Sequence, residues 1–192
     1  MEKQLRKIVD KYKPAFSKGG KFGFLHSTFD AFETFLFVPN TVTRRGSHIR
    51  DANDLKRTMI IVIIALLPAL LFGMYNVGYQ HFAAIADPVS QAMWFKCWWY
   101  GFVRMLPMIL VSYIVGLGIE FAVAQHKGEE VNEGFLVTGM LIPMIMPIDI
   151  PLWILALAVA FSVVFGKEVF GGTGMNVFNP ALLARAFVFF AY

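Results

Sequence analysis

From Thr58 to Tyr75 the chain runs without a charged side chain and almost without a polar one. Wound as an α-helix at about 1.5 Å per residue, a run of that length covers most of a hydrocarbon core of about 30 Å. In such a solvent every backbone N–H and C=O must be satisfied within the segment, so a helix is the form open to it. Composition agrees: 57% of the 192 residues are hydrophobic, only 16% are charged, and the mean hydropathy is +0.60. These values exclude an ordinary soluble domain and predict an all-α polytopic membrane protein.

The other apolar runs bring the expectation to about four spans, some short or broken, plus the start of a fifth. A second span covers about Val103 to Ala124. Phe135 to Met146 is roughly 18 Å long if helical, too short to cross unaided, and Pro143 and Pro147 interrupt it. Leu152 to Phe165 is short again. Two short, Pro- and Gly-interrupted segments meeting in mid-membrane are a feature of channel and transporter cores. Residues 76–100 are expected to connect the first two spans, with Asp87-Pro88 as a turn and Trp94, Trp98, Trp99 and Tyr100 as an interfacial aromatic belt. The last run opens at Ala181 and is unfinished at Tyr192, which predicts a transmembrane domain over 58–192 that continues further.

The formal charge is +4, and its distribution matters more than its size. Lys3, Arg6, Lys7, Lys11, Lys13, Lys18, Lys21, Arg44, Arg45, Arg50, Lys56 and Arg57 all precede the first span. That excess predicts a cytoplasmic N-terminal segment, 1–57, in a multi-pass membrane protein. Within it, Leu5, Ile8, Val9 and Tyr12 form one helical stripe, and Leu25, Phe29, Phe32 and Leu36 another. Both patterns predict helices lying on anionic lipid or on a soluble partner. No nucleic-acid partner is expected, because no recognisable binding fold surrounds the basic residues. Cys97 is the only cysteine and no Cys/His cluster has metal-ligand spacing, so no metal site is expected and redox chemistry would ride on an organic cofactor or another subunit.

Between two apolar runs lies Gly166-Lys167-Glu168-Val169-Phe170-Gly171-Gly172-Thr173-Gly174-Met175-Asn176-Val177-Phe178-Asn179-Pro180-Ala181. Asn179-Pro180 is a helix-start signal: the Asn caps free amides and the Pro has its φ already set. Gly171, Gly172 and Gly174 let backbone approach a partner closely, while Asn176 and Asn179 offer amide donors and acceptors at a positive helix end. A flat ligand with polar edges, or a phosphate, suits such a loop. So does a plain tight turn with a cap, and the residues alone leave both open. Neither standard nucleotide fingerprint is met: Val177 stands where a third glycine belongs, and no Gly-Lys-Ser/Thr follows. Glu120, one turn from Gly116, is costly so near hydrocarbon and is a candidate for a cation or a polar headgroup. The alternative is that it reaches water at the end of its span. Arg185 either faces an anionic group or stabilises packing.

The glycine-rich stretch through Ala181 closely resembles the B-type membrane subunits of the Na+-translocating NADH:quinone oxidoreductases (Na+-NQR). So do Arg185 to Tyr192, Val131-Asn-Glu-Gly134, the Gly116–Glu120 stretch, and Ser47 to Asp51 with Asp54 to Arg57. The resemblance implies an enzyme complex that passes electrons from NADH through a 2Fe–2S centre and flavins to quinone and expels Na+. It implies noncovalent riboflavin at Asn176 and Asn179 with Gly171, Gly172 and Gly174 nearby, and an FMN linked through its phosphate to a threonine. That threonine belongs to a Ser-Gly-Ala-Thr motif absent from this chain, so its place is beyond Tyr192 and Thr173 is not the anchor. Glu120 matches an acidic residue connected with Na+ uptake, and the Gly116 region is an expected quinone contact. Leu117 stands where some relatives carry a second glycine. Expected partners are the other subunits of that complex, quinone, Na+ and membrane lipid. Two other functions compete: a non-redox channel or transporter subunit, and the D-type subunit of the Rnf ferredoxin:NAD+ oxidoreductase, which shares the glycine-rich core.

Overall fold

The computed structural model describes residues 55–127, 134–172 and 174–192, with isolated positions at 9, 13, 14, 46 and 47. Apart from those isolated positions, the helices expected over 2–13 and 25–36, the basic loop 41–50, Val131-Asn-Glu133 and Thr173 lie outside the described residues.

Among the described residues the chain is helical and has no strand. The elements are α1 (Leu55–Ala84), α2 (Pro88–Ala92), α3 (Trp94–Lys127), α4 (Phe135–Ile145), α5 (Leu152–Gly166), a 3-10 turn (Glu168–Phe170) and α6 (Pro180–Ala191). Three segments are long and apolar enough to cross a membrane: Thr58–Ala84, Trp94–Lys127, and Leu152–Phe170, which joins α5 to the 3-10 turn. α4 and α6 are shorter apolar helices. The protein is an all-α, multi-pass membrane protein, as its composition requires.

Several boundaries differ from the sequence expectation. α1 continues past Tyr75 to Ala84 and α3 begins at Trp94, so the connection expected over 76–100 shrinks to a short segment that is mostly α2. The reason is a close approach of two backbones. A Cβ on Gly78 would lie 1.9 Å from the Cys97 carbonyl oxygen, and one on Gly101 would lie 1.8 Å from that of Met74. Such bare contacts are how small residues let membrane helices pack, and this one carries both helices beyond their apolar stretches. The aromatic belt therefore rides on the first turns of α3, where Trp94 and Trp99 are exposed and Trp98 stacks on Phe102. Asp87 does act at the turn, accepting from the Ser90 N–H to cap α2. Leu152–Phe165 is also not a broken piece, since the 3-10 turn extends it to crossing length.

α3 is the central element. Its buried residues are Cys97, Gly101, Met105, Met108, Ser112, Gly116, Glu120 and Ala124, three or four apart, so one face points inward along the whole helix. α1, α4 and α5 pack on it, and α6 packs on α5 and α4. α4 and α5 meet α3 and α6 more than each other, while the end of α4 and the start of α5 share one core through Ile142, Met146, Ile150 and Ile154. What interrupts α4 is Pro143, which cannot donate to the carbonyl of Gly139 four residues earlier. Ser112 supplies a bond there, its Oγ donating to Gly139 O at 3.0 Å in a buried setting. The non-helical stretch after Ile145 is tolerated because Met146 and Ile150 are buried in the core with Leu155, Val159 and Ala184. Ser112→Ala is expected to lower stability by about 1–3 kcal/mol, as a buried carbonyl loses its donor. Thermal denaturation of the intact protein in detergent checks this, and an unchanged midpoint would show that the carbonyl finds another partner.

The two ends of the bundle are distinct. Met59 of α1, Gly134 before α4, Lys167 after α5 and Asn179 before α6 line one cavity, and Lys127 pairs with Glu168 at 3.6 Å at the same end. Gln80, Tyr100 and Asp149 surround a second cavity at the other end. The glycine-rich loop thus lies on the side where α1 starts, which is what counting the crossings predicts.

Candidate functional site

The loop after α5 is shaped by its glycines. Gly171 and Gly172 have φ of +110° and +92°, in the left-handed region where a side chain is disfavoured. Their N–H groups fold the chain back, Gly171 donating to Glu168 O at 3.3 Å and Gly172 to Lys167 O at 3.0 Å. Asn176 then ties the loop to itself: its Oδ1 accepts from Gly174 N at 3.3 Å and its Nδ2 donates to Phe178 O at 3.0 Å. Asn179 is the predicted cap, its Oδ1 accepting from Ala181 N at 3.0 Å and Leu182 N at 3.4 Å. Its Nδ2 has no partner among the described residues.

This loop closes one side of a cavity of about 420 Å³. Asn176, Val177, Phe178, Asn179, Pro180 and Lys167 line it with Gly134 before α4, Val137, Thr138 and Leu141 of α4, and Met59 of α1. The volume lies in the range of about 300–1,000 Å³ found for small-molecule sites, and the wall is the usual mixture of apolar surface and a few polar groups. Two helix N-termini, those of α4 and α6, open at it, and Lys167 in its wall is already neutralised by an ion pair with Glu120. The dipoles of the two helices place partial positive charge at these starts, so the cavity suits a ligand with acceptor oxygens.

Lys167 is buried and pairs with Glu120 of α3, its Nζ donating to Oε1. The side chains are only 6% and 3% exposed, which removes the alternative in which Glu120 reaches water. Glu120 Oε2 has no partner among the described residues. Gly116, one turn earlier, lies under the Phe135 ring: a Cβ there would fall 1.8 Å from the ring's Cζ. Arg185 is partly buried on α6 and makes no ion pair among the described residues.

The structure therefore brings Asn176 and Asn179 to one cavity and keeps Gly171, Gly172 and Gly174 out of its wall, where they shape the loop instead. Glu120 is joined to the cavity through Lys167, whereas Gly116 is outside its wall, covered by the Phe135 ring. Sequence reasoning missed Lys167 and the α4 residues Val137 and Thr138. A signal for the first existed, because a lysine bordering an apolar span needs a counter-ion and Glu120 is the acidic residue within the α3 span. The α4 residues gave none.

A sequence model of the NQR2, RnfD, RnfE family matches residues 42–192. Over 98% of its length the chain is 44% identical to the B-type subunit of the Na(+)-translocating NADH-quinone reductase of Pseudomonas aeruginosa, covering 52% of that protein. The proteins of the same name from Azotobacter vinelandii and Chromohalobacter salexigens are 42% and 43% identical over 98% of the chain, which covers 52% and 50% of them. The chain thus spans about half the length of these curated relatives. A match across every described helix, from the start of α1 to the end of α6, places the chain in the NQR2, RnfD, RnfE family.

Proposed function

We propose that this chain is part of the membrane subunit of a redox-driven sodium pump, in which it holds riboflavin for electron transfer from NADH to quinone coupled to Na+ export. The observation that carries this reading is the cavity at Asn176 and Asn179. It combines amide groups, two helix starts and a buried lysine in a family whose matched relatives are named for Na+ translocation and NADH-quinone reduction. Bound there, flavin supplies the electron transfer, and the protein supplies orientation and electrostatics. Asn179 Nδ2 is the donor for its carbonyl edge, with Val137, Leu141 and Phe178 as apolar surface for its rings. An FMN attached through a threonine belongs to a part of the protein outside this sequence, since Ser-Gly-Ala-Thr does not occur in it.

The remaining assignments follow from the same reading. Partners are the other subunits of the complex, quinone, Na+ and lipid, with quinone near Gly116. The location is a bacterial inner membrane, with the basic N-terminal segment and the glycine-rich loop facing the cytoplasm. A non-redox transporter is the second reading, supported by the Pro-interrupted α4 and the buried non-helical stretch after it. Flavin absorbance in the purified complex separates the two, and the make-up of the assembly separates both from an Rnf-type complex.

Asn176→Leu with Asn179→Leu is expected to deplete noncovalent riboflavin in the assembled complex severalfold, each lost hydrogen bond being worth about 1 kcal/mol or more. Asn179→Asp is the companion variant, because it keeps the helix cap while a carboxylate oxygen replaces the Nδ2 donor. Riboflavin measured by acid extraction and unchanged in both variants would sink the assignment.

A further inference from the structure

The end of the bundle away from the glycine-rich loop holds a second cavity, of about 370 Å³. Its polar groups come from three elements: Asn76, Gln80 and His81 of α1, Tyr100 and Arg104 of α3, and Asp149 between α4 and α5. The His81 ring stacks on Tyr100 at 4.1 Å, and the Tyr100 hydroxyl oxygen accepts from Arg104 Nε at 3.3 Å. The two terminal nitrogens of Arg104 have no partner among the described residues. Asp149 lies near enough for Arg104 to feel its charge, yet the two form no ion pair among the described residues. The cavity thus presents a cation and an anion that leave each other unused.

The depth of this cavity follows from the helices that carry it. α1 has 30 residues and α3 has 34, so they run about 45 Å and about 51 Å against a hydrocarbon core of about 30 Å. Both therefore reach into the headgroup layer, and the exposed Trp94 and Trp99 mark that layer on the same turns of α3 as Tyr100. Arg104, exposed one turn further along, stands where a guanidinium meets lipid phosphates. Along α1 the cavity opens onto bare helix surface. Ala69 is exposed, and nothing lies within 4 Å of a Cβ added at Gly73. That is room for an acyl chain directly beneath the polar groups.

We propose that this cavity binds the headgroup of a phospholipid bearing a primary ammonium, of the phosphatidylethanolamine class, between Arg104 and Asp149. The phosphate oxygens accept from the terminal nitrogens of Arg104 and from the side-chain amides of Asn76 and Gln80, and the ammonium donates to Asp149. The planar fork of an arginine suits a phosphate, and hydrogen bonds between ionised groups are the strong ones. The two charges set the lipid class. An anionic headgroup such as phosphatidylglycerol brings no cation to Asp149, and a choline headgroup brings a cation without an N–H to donate. One acyl chain lies along Ala69 and Gly73. Bound in this way, a single lipid ties α1, α3 and the α4–α5 connection together at one end of the bundle. The assignment is independent of what fills the cavity at the glycine-rich loop.

The test uses the intact complex, stripped of lipid in detergent and titrated with phosphatidylethanolamine, phosphatidylcholine or phosphatidylglycerol of identical acyl chains. Tightly held lipids are counted by native mass spectrometry. The unsubstituted complex is expected to hold one phosphatidylethanolamine about tenfold more tightly than either other lipid, the scale of one charge-assisted hydrogen bond. Arg104→Gln is expected to lose one tightly held phospholipid whatever its class. Asp149→Asn is expected to keep one and lose the preference, with phosphatidylglycerol gaining most. A purely structural role for these residues predicts instead that both variants weaken all three lipids alike, and that result overturns the proposal. So does equal binding of the three lipids by the unsubstituted complex, or an unchanged lipid count in Arg104→Gln. Inorganic phosphate that displaces the lipid at millimolar concentration identifies a site for free anions and overturns it as well. Should Arg104→Gln fail to assemble, Asp149→Asn decides: a preference for phosphatidylethanolamine unchanged there also overturns it.

Discussion

Lys167→Met is expected to destabilise the intact protein by about 3–5 kcal/mol, because it leaves Glu120 as an unpaired buried carboxylate. Both side chains are almost fully enclosed, so solvent does little to screen the change. Glu120→Gln is expected to be milder: the lysine left behind already borders the cavity and has somewhere polar to turn. Replacing both, Lys167→Met with Glu120→Gln, should recover most of the loss, since removing a whole buried pair also removes its desolvation cost. A double-mutant cycle on thermal or denaturant unfolding measures the coupling. Losses that simply add would show that the two groups do not depend on each other.

The second large effect is expected at the α1–α3 contact. Gly101→Ala places a methyl 1.8 Å from the Met74 carbonyl oxygen, and Gly78→Ala places one 1.9 Å from that of Cys97. The obstacle is backbone in both cases, so no rotamer change relieves it and the helices must separate. The cluster of Leu70, Met74, Met105 and Met140 then loses its fit. Overpacking of this kind typically lowers stability by about 1–3 kcal/mol, occasionally more. Gly73→Ala and Gly118→Ala are the controls. Nothing lies within 4 Å of a Cβ at either position. There alanine should be neutral, or stabilising by up to about 1 kcal/mol through helix propensity. Melting temperatures of the four variants decide the matter, and equal losses in all four would contradict the close-contact account.

The helical class, and the end of the bundle on which the glycine-rich loop falls, were legible because a bilayer leaves few options for apolar runs. The cap at Asn179 was legible because it is local chemistry between residues two and three apart. The ends of α1 and α3 were not. They depend on Gly78 and Gly101 meeting backbone from another helix, and neither glycine differs in sequence from Gly73 or Gly118. The cavity was half legible for the same reason. Asn176 and Asn179 announce themselves by type and position, whereas Val137 and Thr138 reach the site only through the packing of α4 beside the loop. Glu120 could be singled out as costly, but whether it met water or a lysine 47 positions away was a tertiary question. The stripe of small and buried residues on α3 that contains it is visible only once its inward face is known.

The central claim is that the cavity between the glycine-rich loop and α4 holds a flavin noncovalently. A cryo-EM map of the intact complex tests it most directly. The account predicts planar three-ring density against Asn179 and Thr138, with Lys167 within reach of its polar edge and no covalent link to the chain. A cavity filled by side chains from the rest of the protein or by a lipid tail, with the noncovalent flavin elsewhere, would contradict it.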